Sequence, residues 1–132
     1  MSGMRQEGWR TACIVGLVVM ATWTLVIKYV APLLWALSET LAGRHAAAPI
    51  MWDFWWVAHL ALARLIYLRQ PVMWAAGTII ASVEILIVAV KLALYFRAPD
   101  FTFWNLLWLT NKMYVLVFFV WFLLLLMRGG RP

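Results

Sequence analysis

The chain has 132 residues, 67% of them hydrophobic and only 12% charged, with a mean hydropathy of +0.90. A soluble domain is about half apolar and a quarter charged, so lipid must solvate much of this surface, and no separate soluble domain fits. The net charge of +6 does not point to nucleic acid, because the basic residues are scattered through apolar segments and their ends, with no stripe that could follow a phosphate backbone.

The first apolar run follows a basic start, Met1 to Arg10. It continues past the length of a signal-peptide core and ends in no A-x-A site, so it reads as a retained transmembrane helix over residues 11–31. Cys13 within it is the one cysteine, which excludes an internal disulfide, CxxC redox chemistry and a cysteine metal cluster. Pro32 is expected to end or kink this helix. The polar stretch from Ser38 to Pro49 reads as a loop.

Three further spans follow, over residues 50–68, 72–96 and 103–127, separated by the tight connections Arg69-Gln70-Pro71 and Arg97-Ala98-Pro99-Asp100. Short connections make consecutive helices antiparallel neighbours. The expected architecture is an all-α membrane protein, a four-transmembrane-helix antiparallel bundle. With the N-terminus inside, Arg5, Arg10, Arg69, Arg128 and Arg131 face the cytoplasm and only Arg44 and Arg97 face out. The positive-inside rule therefore gives N-in and C-in.

Ten tryptophans sit largely near the ends of these spans. Trp52, Trp55 and Trp56 open the second span and Trp104 and Trp108 the fourth, as an aromatic belt at headgroup level or as contacts for a lipid tail, quinone or pigment.

The spans also carry ionisable residues, each of which needs a partner, water or a task at membrane depth. At 1.5 Å per residue, Glu84 lies about 18 Å into the third span, Asn111 and Lys112 about 12–14 Å into the fourth, and His59 about 14 Å into the second. These four form an expected midplane layer. Lys28, Asp53 and Lys91 form a second cluster in the outer half, and Arg64 snorkels toward the inner interface. Glu84 and Lys91 share a stripe with Gly77, where a neighbouring helix can approach closely. Asp53 and Arg64, eleven residues apart, are expected on one face. The predicted pairs are Lys112 with Glu84, and Asp53 with Lys91 or Lys28. Four basic residues against two acids leave cations that need water, a lipid phosphate or a partner's carboxylate.

There is no HExxH, GxSxG, P-loop or glycine-rich dinucleotide motif. His45 and His59 fall at different depths, so a haem held by both is not expected. Small multidrug transporters carry a first-span glutamate where this chain has Lys28, and thiol-oxidising four-helix proteins need several cysteines. The reading is a non-enzymatic accessory, assembly or stabilising subunit of a larger bacterial inner-membrane complex, with lipid and other membrane subunits as partners and no cofactor or metal. The alternative is a small homo-oligomeric transporter or flippase-like protein using Glu84 and Lys112.

Overall fold

The computed structural model describes residues 2–50 and 52–128, and among these every regular element is helical. Helix α1 covers Ser2–Leu25, a π-helical turn covers Val26–Val30, α2 covers Ala31–Leu41, α3 Trp55–Tyr67, α4 Met73–Tyr95 and α5 Phe103–Met127. Three stretches, Gly3–Leu41, Met73–Tyr95 and Phe103–Met127, are long and apolar enough to cross a bilayer. The chain is an all-helical, multi-pass membrane protein.

The first helix is longer than its expected span in both directions. Pro32 does not end it. A proline ring removes one backbone donor and crowds the preceding turn. Here the turn before it is widened, and the Ala31 N–H reaches back five residues to the Val26 carbonyl. The helix then continues through Ser38 and Thr40, whose hydroxyls donate back to the carbonyls of Trp35 (2.7 Å) and Ala36 (2.9 Å). It stops at Gly43, which takes φ +77° and lets the N–H groups of Gly43 and Arg44 close on the carbonyls of Thr40 and Glu39.

The second apolar run behaves in the opposite way. Helix α3 begins at Trp55, so 52–54 are non-helical; residue 51 of the expected span lies outside the described residues, as does Arg131 at the C-terminal end. Asp53 is therefore not on the helical face of Arg64, correcting that expectation. The α3 helix ends in the same way as α2, with Arg69 at φ 55° in the glycine-like position.

The helices pack in a closed order: α1 on α3, α3 on α4, α4 on α5, and α5 back on α1. Arg10 fixes the α1–α3 pair at one end. Its Nε and Nη2 donate to the Ile66 and Tyr67 carbonyls at 3.3 and 3.1 Å, and Nη1 to Glu7 at 3.0 Å. At Gly16 an added Cβ would overlap the Phe118 ring, so α1 and α5 touch there almost backbone to ring. Gly77 plays the same part between α4 and α5, where a Cβ would sit 3.0 Å from the Phe122 ring.

The inward stripes divide the core into two zones. Toward the chain ends it is apolar, built from Leu17, Met20, Leu62, Ile66, Met73, Ala81, Phe119 and Phe122. Toward the 42–54 loop the same stripes carry Thr24, Lys28, His59, Glu84, Asn111 and Lys112, all buried.

Candidate functional site

Two side-chain pairs organise the polar zone. His59 Nε2 lies 2.6 Å from Glu84 Oε1, joining α3 to α4, with both side chains buried. The His59 ring leans on Phe119 at 5.5 Å between centroids, at the border with the apolar zone. Glu84 thus pairs with His59 and not with Lys112, against the sequence expectation. Histidine was read there as a residue of the same depth, but its partner depends on which helix faces α4, and that is set by packing.

The second pair joins Lys28 Nζ to Asp53 Oδ2. The π turn supplies both its anchors. Tyr29 Oη donates to the Asp53 carbonyl at 2.8 Å and accepts from the Asp53 N–H at 3.1 Å. Asp53 Oδ1 accepts from the Trp55 N–H at 2.9 Å, starting α3. Asp53, outside the helix, is thereby held at four points, two through its carboxylate and two through its backbone. The sequence named Asp53 and Lys28; the π turn that presents Lys28 and Tyr29 together leaves Pro32 as its one sequence signal.

Lys112 is buried to 6% exposure, and among the described residues no carboxylate lies within ion-pair distance of it. Its nearest aromatic face is Trp108, 6.0 Å from ring centroid to Nζ, at the outer limit of a cation–π contact. Among the described residues three buried side-chain atoms have no hydrogen-bond partner in the protein: Asn111 Oδ1 and His59 Nδ1, whose residues line the same void as Lys112, and Trp56 Nε1, whose residue does not. Unsatisfied buried polar atoms are uncommon and cost about 1–3 kcal/mol each unless water or a ligand meets them.

Lys112, Asn111 and His59 border a void of about 10 Å³, lined also by Thr24, Asp53, Glu84 and Lys91. That is at the lower limit for one water. Asp53, Trp55 and Lys91 also line a wider, open cavity of about 530 Å³, with Lys28, Trp52 and Phe54. The two layers expected from depth are therefore one continuous cluster, narrow inside and wide at the loop end. Lys91 is exposed at its rim.

The cavities divide four of the five tryptophans between two places. Trp52 and Trp55 belong to the open cavity, while Trp104 and Trp108 line another of about 270 Å³ beside Pro32, Pro49 and Asn111. Arg64 is exposed on the outside of α3.

The chain matches no protein-family model, no curated protein and no solved structure.

Proposed function

We propose that this is a non-catalytic accessory, assembly or stabilising subunit of a larger bacterial inner-membrane complex, crossing the membrane four times with both termini in the cytoplasm. The observation that carries the reading is α2. Helix α1, the π turn and α2 run 39 residues from Gly3 to Leu41 without a break. That is nearly 60 Å at about 1.5 Å per residue, against a hydrocarbon core of about 30 Å. With Arg10 at the inner interface, some 20 residues bring the chain to about Val30, and α2 projects beyond. It makes no extended contact with α3, α4 or α5. Yet Leu33, Leu34, Leu37 and Leu41 are all exposed, the last at 79%. An apolar helix held outside both core and hydrocarbon marks a protein-contact surface.

The short α3 is compatible with a crossing. Its 13 residues span about 20 Å, and the non-helical residues 52–54 lengthen the crossing. Irregular backbone is tolerated at membrane depth where it lines a cavity or is held by protein, as Asp53 is by Tyr29.

The test is photo-crosslinking from a reactive side chain at Leu34 or Leu37, with Ile79 on α4 as the lipid-facing comparison. The subunit reading expects one defined larger membrane protein attached at the α2 positions and lipid at 79. Lipid alone at all three contradicts it. A second reading, a small transporter, draws on the void shared by Glu84 and Lys112. It requires function to fall steeply in Glu84→Gln.

A further inference from the structure

We propose that the open cavity at the loop end binds an anionic phosphodiester, the phosphate of an acidic phospholipid in the outer leaflet, through Lys91 and Lys28, with Lys112 behind them.

The charge balance comes first. Lys28, Lys91 and Lys112 border two cavities that share Asp53, Trp55 and Lys91 in their linings, so three ammonium groups stand against the two carboxylates of Asp53 and Glu84. Among the described residues neither acid forms an ion pair with Lys91. Asp53 uses Oδ2 on Lys28 and Oδ1 on the Trp55 N–H. Glu84 is committed to His59 at 2.6 Å. A cation at membrane depth seeks an anion or water, so the missing partner carries about one negative charge.

Shape and depth then select among anions. The cavity is about 530 Å³ and open, too large for a bare halide. It is lined by Trp52, Phe54 and Trp55 together with Lys28, Lys91 and the Asp53 that pairs with Lys28. Aromatic rings and ammonium groups in one lining suit a molecule with a charged head and an apolar body. Lys91 lies four residues before the end of α4 at Tyr95, about 6 Å below the helix end. A lysine stem covers that distance to the phosphate level. Behind the mouth, Lys112 and the unpartnered Asn111 Oδ1 and His59 Nδ1 lie nine-tenths or more buried, at or beside a void with room for one bridging water. The site does not depend on what covers α2.

The experiment uses the full chain in nanodiscs of phosphatidylcholine, with and without phosphatidylglycerol, released into a mass spectrometer under native conditions. Separate arms add inorganic phosphate to the phosphatidylcholine discs. The expected result is one phosphatidylglycerol retained per chain. Lys91→Gln, at an exposed position that leaves both buried pairs intact, should weaken retention by about fivefold, the value of one lysine near an acidic headgroup. Arg64→Gln, at the other end of α3, should change nothing. Inorganic phosphate retained in place of lipid, and lost in Lys91→Gln, would overturn the lipid source while keeping the phosphate site. No retained anion, or equal retention in Lys91→Gln with unchanged helix content, overturns the site itself.

Discussion

At the scale of single residues, the buried charges differ in whether they have partners. Lys28 is 4% exposed and its partner is Asp53. Removing one member of a buried pair leaves an uncompensated charge and costs about 3–5 kcal/mol, whereas removing both is far milder. Asp53→Asn should therefore destabilise by about 3 kcal/mol in denaturant unfolding in detergent, and Lys28→Met with Asp53→Asn should recover most of it. Glu84 gives a second test. Glu84→Gln alone adds to the positive excess around Lys112 and should lower stability; adding Lys112→Met should restore it and leave complex assembly intact. Failure of the double variant to assemble would favour the transport reading. Sequence alone named the ionisable residues of this cluster, because they stand out against an apolar background, but not Thr24 in the lining or Tyr29 on the Asp53 backbone. It did not give the pairing of Glu84 with His59, since depth along each helix is readable from spacing but rotation about each axis is not.

At the scale of elements, glycine and proline decide the local geometry. A Cβ at Gly16 would overlap the Phe118 ring, while at Gly77 it would sit 3.0 Å from the Phe122 ring. Overpacking of this kind costs about 1–3 kcal/mol. Gly16→Ala should therefore destabilise more than Gly77→Ala in the same unfolding assay, and Phe118→Leu should partly rescue Gly16→Ala by removing the edge that is struck. Gly77 was legible from its seven-residue spacing to Glu84. Gly16 was not, because its partner Phe118 lies on a helix 100 residues away in sequence. Helix α5 matches its expected bounds, since a long apolar run flanked by a proline-containing turn admits one reading. The differences fall at Pro32, where a π turn absorbs the missing donor, and at residues 52–54, where hydrophobicity cannot distinguish helix from non-helical chain.

At the scale of the whole molecule, the core is polar toward one end and apolar toward the other, and the helix carrying α2 outruns its neighbours. The proposed orientation puts the polar end outside. In a Cys13→Ala background, Arg44→Cys should react with a membrane-impermeant thiol reagent on intact spheroplasts, whereas Arg5→Cys and Arg128→Cys should react only after permeabilisation. The reverse pattern would invert the topology and place the lysine mouth in the inner leaflet. The class, an apolar chain with several crossings, followed from composition. The exposed α2 did not, because a leucine-rich segment looks the same whether it lies in lipid, in a core or beyond both. The most direct measurement is native mass analysis of the tagged protein after gentle extraction from its own membrane. Stoichiometric association with larger membrane subunits, lost when Leu34 and Leu37 are changed to Asn, is the predicted result. A homo-oligomer of this chain alone, indifferent to those changes, would contradict the subunit reading.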